Sequence, residues 1–130
     1  MRSDCPISFA LDYFGDKWTL LIIRDLIFDR KKFYSDFLNS KEGIATNILS
    51  NRLKKLESNG IIESKVYEKL KTKKEYSLTP KGKTLVPVLV EMILWSAQYN
   101  GDLAIPQEFL HKAKTGKDQL VAAITARLDT

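Results

Sequence analysis

In the stretch IATNILSNRLKKLESNG, residues 44 to 60, Thr46, Asn47, Ser50, Asn51 and Lys54 recur at helical spacing on one face. Amides and hydroxyls gathered this way suit base edges in a major groove, because Asn can bond adenine through two atoms and Ser or Thr can serve several bases. Arg52 and Lys55 flank the face and are long enough to reach phosphates. The same pattern also fits a plain solvated helix face, although such faces more often carry Glu and Lys. A second feature lies in YEKLKTKKEYSL, residues 67 to 78, where Lys69, Lys71, Lys73 and Lys74 crowd between two short runs of strand character. Like charges repel, so gathering them at one hairpin tip calls for a negative surface opposite.

Other chemistry is poorly supplied. One Cys (Cys5), one His (His111, in FLHKAK, read as a surface histidine) and no convergent carboxylate pair leave little for acid-base or nucleophilic catalysis, so no enzyme is expected. One Cys and one His cannot supply the usual ligands of a structural zinc, and a single Cys excludes an internal disulfide. The expectation is a protein without metal or cofactor. No apolar run approaches the roughly 18 residues of a membrane span, and the start MRSDCPISFA lacks a signal-peptide pattern, so a cytoplasmic protein is expected. At 130 residues and 44% hydrophobic, the chain is expected to form one domain, residues 1–130. The net charge of +5 is unevenly spread: residues 17–83 carry +8 and the remainder −3. The excess coincides with the polar face and the lysine-rich turn.

The elements that position these residues can be read from periodicity and punctuation. Pro6 opens a helix that Gly15 ends, with Ile7, Ala10, Leu11 and Phe14 on one face and Phe9 and Tyr13 on another; two apolar faces imply two neighbours. GDKWTLLIIRDLIF could be a buried strand, but its length and the pair Arg24–Asp25 favour a buried helix capped by Asp16. Phe33, Phe37 and Leu38 predict a short third helix. The fourth turns Ile48, Leu49, Leu53 and Leu56 inward and stops at Asn59 and Gly60. IIESKVYE and KEYSLT predict a hairpin with Val66, Tyr76 and Leu78 inward. Thr79 and Pro80 then open a long helix to about Tyr99, which Pro87 kinks unless it lies in the first turns. Its stripe of Leu85, Leu89, Met92, Ile93, Ser96 and Tyr99, broadened by Val86 and Trp95, is more apolar surface than a small core covers. TGKDQLVAAITARLDT reads as a last amphipathic helix with Leu120, Val121, Ile124 and Leu128. This order predicts a mainly α chain with a small β-hairpin, a winged helix-turn-helix whose fourth helix enters a DNA groove and whose hairpin is the wing.

CPISFALDYFGDKWTLLIIRDL, IATNILSNRLKKLESNGII and EYSLTPKGKTLVPVL together resemble the HxlR-type transcriptional regulators, a branch related to the MarR-like winged helix proteins, over about residues 5 to 99. The resemblance implies a homodimeric regulator that binds double-stranded DNA, with residues 5–15 and the C-terminal helices within 80–130 building the dimer. Phe9, Tyr13, Leu89, Met92, Ile93, Leu120, Val121 and Ile124 are then the expected interface. Simple occlusion by a small dimer makes repression the expected output, on a near-palindromic operator. Two departures stand out. Many members have Ser-Arg or Ser-Lys where this chain has Ala45 and Thr46, which passes the helix cap to Thr46 and removes one groove-facing charge. Members often carry prolines and an arginine in the wing, where this chain has Lys71, Thr72 and Lys73, which predicts a flexible wing acting through charge.

In some members the cysteine equivalent to Cys5 senses oxidants or electrophiles. A helix N-terminus stabilises a thiolate, so local physics permits this role; a cysteine that only fills an interface corner is the alternative. An oxidant or a small-molecule inducer is thus the implied signal. The competing functional class is a winged helix used for protein or RNA contacts, which calls for a less basic wing and a more apolar fourth helix.

Overall fold

The computed structural model describes residues 4–129. The chain divides into two compact units, residues 1–82 and 83–130.

The first unit opens with α1 (Pro6–Phe14), where proline takes the first helical position and Gly15 N–H closes the end on Leu11 O at 2.8 Å. None of the described residues of α1 is buried in this chain, so its two apolar faces do not meet two neighbours here. α2 (Lys17–Ile27) is the buried helix the sequence favoured, with Ile22, Ile23, Leu26 and Ile27 in the core. α3 (Tyr34–Leu38) begins where the Asp36 carboxylate accepts from Phe33 N at 3.1 Å, and it buries Phe37. α4 (Thr46–Ser58) packs on α2 and α3 through Leu49, Leu53 and Leu56. Gly60 follows its end at φ +75°, a left-handed conformation that glycine adopts without strain.

β1 (Ile62–Val66) and β2 (Lys74–Leu78) pair antiparallel, from Ile62 opposite Leu78 to Val66 opposite Lys74. Core contact runs from the base of this hairpin to its middle, where the half-buried Tyr76 ring, inward as expected, meets Phe37 edge-on at 6.2 Å. Ile62 and Leu78 are buried, whereas Val66, expected inward, is exposed at the tip end of the ladder, opposite Lys74. After β2, Thr79 Oγ1 donates its one proton to the Gly60 carbonyl, lies 3.1 Å from the Ile61 carbonyl and accepts from Gly82 N. A Cβ on Gly82 would stand 2.1 Å from Ile61 O, so this close approach requires glycine.

The long helix expected from Pro80 to Tyr99 is two: α5 (Pro80–Lys83) and α6 (Val86–Tyr99). Pro87 causes no kink, because it falls in the first turn of α6, where a missing N–H breaks no helical bond. Within the second unit α6, α7 (Gln107–Thr115) and α8 (Lys117–Arg127) pack on one another. α7 was not anticipated, although Glu108 in its first turn and Lys112 and Lys114 in its last are ordinary helix signals. Leu89 and Ile124, expected at a dimer interface, are buried inside the single chain, Ile124 to 3% exposure. Lys117 pairs with Glu91 and Lys83 with Asp129. No helix among the described residues is long and apolar enough to cross a membrane.

Candidate nucleic-acid interface

The outward face of α4 carries Thr46, Asn47, Ser50, Asn51, Lys54 and Lys55, all exposed. Its orientation is fixed at three places. At its start the cap is Ala45, not Thr46: Ala45 has the extended backbone, and Thr46 is already the first helical residue, its side chain making no capping bond. There the Tyr34 hydroxyl lies 3.2 Å from Thr46 O and 3.3 Å from Ser50 Oγ.

Farther along, Arg52 turns inward, contrary to the expected phosphate contact. Its Nε donates to Asp16 Oδ2 at 3.1 Å and its Nη1 to Asn51 Oδ1 at 2.6 Å. Asp16 in turn accepts from Trp18 N at 3.0 Å and from Thr19, so one carboxylate caps α2 and anchors α4. Burial pushes the Asp16 carboxyl up, and the bonds from Thr19 and Arg52 more than reverse that, leaving it below the usual carboxylate range. Asn51 has its amide oxygen engaged and presents the amide NH2.

The turn before α4 is latched by charge. Arg24 donates from Nε and Nη2 to Asp25 Oδ1 and from Nη1 and Nη2 to Glu42, at 2.6 to 3.0 Å. Asp25 is 1% exposed and also pairs with Lys31 at 3.3 Å. Burial raises its carboxyl beyond what Arg24 and Lys31 lower it. Glu42 is drawn down to about 2 by the Arg24 guanidinium. Its stabilisation is complete above the unfolded carboxylate pKa of about 4.3 and is lost as pH falls toward 2. Glu42→Gln should therefore lower the melting temperature at pH 7 by the equivalent of at most about 1 kcal/mol, given solvent screening. The melting curves of variant and parent should converge between pH 5 and 2; a gap independent of pH would refute the latch.

The wing is tied to the rest of its unit by specific contacts. Tyr67 N donates to Lys73 O at 2.8 Å, and Lys73 N to Leu70 O at 2.9 Å. Phe33 meets Tyr67 edge-on at 4.9 Å, and Lys73 Nζ sits 4.2 Å from the Phe33 ring centre. Lys73 thus binds the wing to the start of α3 instead of standing clear at the tip. Tyr76 N donates to Lys32 O at 2.7 Å, tying β2 to the same segment. Lys69, Lys71 and Lys74 are exposed. Sequence reading missed Tyr34 and the clamping role of Phe33; the adjacent aromatics Phe33-Tyr34 were the available signal.

A polar, mostly uncharged helix face followed in the chain by an exposed lysine hairpin is the layout of a winged helix reader of nucleic acid. The sequence profile of the HxlR-like helix-turn-helix family matches residues 13–103. The chain belongs to that family. Among HxlR-like relatives, the HTH-type transcriptional regulator YdeP of Bacillus subtilis is 34% identical over 116 residues, covering 89% of this chain and 87% of YdeP. The redox regulator HypR in its oxidised form superposes with a TM-score of 0.65 at 34% identity, over 74% of this chain and 98% of HypR. The reduced transcriptional regulator YodB of Bacillus subtilis gives a TM-score of 0.60 at 34% identity, over 75% and 97%. The chain is a transcriptional regulator of this HxlR type, built on a MarR-like winged helix.

Proposed function

We propose that this regulator is a homodimer that binds a near-palindromic operator in double-stranded DNA in the cytoplasm and represses by occlusion. It acts by binding, without catalysis and without metal or cofactor. The observation that carries the reading is the exposed polar face of α4, with Asn47, Ser50 and Lys54, together with the exposed wing lysines 69, 71 and 74. Amides and hydroxyls read bases, and lysines hold phosphates. Two such faces in a dimer engage half-sites about one helical turn apart, roughly 34 Å. Mild crosslinking followed by sequencing of the co-purified DNA tests this. A repeated inverted motif near promoters is expected, and recovery of RNA or of no enriched DNA would overturn it.

The signal is an oxidant or an electrophile acting on Cys5. Cys5 is exposed at the N-cap of α1, open to reagents, and HypR, a similar protein, is named a redox regulator. With one cysteine per chain, oxidation joins two Cys5 thiols across the dimer, or Cys5 with a small thiol, releasing two protons and passing two electrons to the oxidant. Diamide should weaken operator binding by the wild type at least about tenfold and be reversed by dithiothreitol. Cys5→Ser should bind normally and ignore diamide. Equal sensitivity of the two proteins would make the cysteine structural.

A further inference from the structure

The hydroxyl pair at the start of α4 fixes which way a base-reading group points its proton. Tyr34 Oη lies 3.2 Å from Thr46 O, and a carbonyl only accepts, so the single phenolic proton goes to Thr46. The contact of 3.3 Å between Tyr34 Oη and Ser50 Oγ must then be donated by Ser50. That bond uses the serine's one proton. What exposed Ser50 offers outward is lone pairs alone.

We infer that Tyr34 makes Ser50 an obligate hydrogen-bond acceptor, so that its base in the operator is one that donates in the major groove. Only adenine, through its 6-amino group, and cytosine, through its 4-amino group, donate there; guanine and thymine present acceptors. Without the tyrosine hydroxyl, a serine could donate or accept and would serve any of the four bases. Tyr34 is thus a positioning residue that sets specificity without touching the base. The inference rests on α4 reading the groove, as proposed above.

The test begins with selection of duplexes from a randomised library by wild type and by Ser50→Ala. The base pair whose preference Ser50→Ala erases is the one Ser50 reads. Synthetic operators then delete single groups at that pair: purine for adenine or pyrimidin-2-one for cytosine removes the amino group, and the matching analogues of guanine or thymine remove the carbonyl. Amino deletion should cost the wild type about three- to tenfold in affinity, the loss of one neutral hydrogen bond, and cost Ser50→Ala nothing. Carbonyl deletion should cost neither. Tyr34→Phe should bind within about twofold as well when that pair is replaced by one presenting an acceptor to Ser50, a replacement that costs the wild type about three- to tenfold, while keeping its preferences at all other positions, which also reports that it folds. If carbonyl deletion is the costly change in the wild type, the inference is wrong whatever Tyr34→Phe does. It is equally wrong if Tyr34→Phe rejects the acceptor-bearing pair as strongly as the wild type does or if no position depends on Ser50. A wild type that selects no motif at all would overturn the DNA-binding reading itself, a result distinct from these.

Discussion

Replacing Lys69, Lys71 and Lys74 with Ala is expected to weaken binding to every duplex sequence alike while leaving the ranking of operators intact. Each of these lysines is exposed on the wing, and an ammonium against a phosphate releases a condensed counterion. The slope of log affinity against log salt should become shallower by up to about 0.9 for each ammonium–phosphate pair removed, doubled in a dimer. Lys73 is left in place because its ammonium packs on Phe33, and removing it would loosen the wing as well as discharge it. Asn47→Ala supplies the contrast. It removes no charge, so its salt slope should stay nearly unchanged, and its cost of roughly 1 to 3 kcal/mol should fall only on the matching operator. Fluorescence anisotropy over a series of salt concentrations separates the two. An unaltered slope in the triple variant would refute the assignment of the wing to the backbone.

The winged helix was legible in the sequence wherever a local pattern decides the structure. Asp16 caps α2 as expected, because a carboxylate two and three residues ahead of free backbone N–H groups is a short-range signal. The inward stripe Leu49, Leu53 and Leu56 and the stop at Gly60 are equally local. What the sequence hid depends on distance in the fold. Arg52 looked like a phosphate ligand because its neighbours on the helix surface do; its partner Asp16 is 36 residues away. Lys73 looked like the other wing lysines until Phe33, forty residues earlier, came beneath it. The same holds for Val66, whose alternation predicts an inward side chain but which stands exposed at the far end of the ladder. Periodicity reports which residues share a face. It does not report how far the core extends under that face.

Phe9→Glu combined with Trp95→Glu is expected to convert the regulator to monomers with operator affinity reduced by about a hundredfold or more, since the second half-site then no longer binds as an intramolecular event. The choice of residues follows from their exposure: Phe9 is 62% and Trp95 67% exposed in the single chain, so neither supports its fold. Each belongs to an exposed aromatic pair, Phe9 with Tyr13 at 5.1 Å and Trp95 with Tyr99 at 5.2 Å, and Ile7, Leu11 and Met92 add apolar area on the same two helices. Large apolar side chains left in water on two helices are the mark of surface that a partner covers. Ile124, by contrast, would be the wrong probe, because a charge placed at a buried position destabilises the protomer and confuses unfolding with dissociation. Met92 and the half-buried Ile93, Leu120 and Val121 remain accessible enough to join an interface. Sedimentation velocity should show the double variant at the mass of one chain and the wild type at twice that, with superimposable circular dichroism spectra. A double variant that still sediments as the wild type does, or a wild type that is itself monomeric at micromolar concentration, would remove α1 and α6 from the interface and leave their exposed aromatics to another partner.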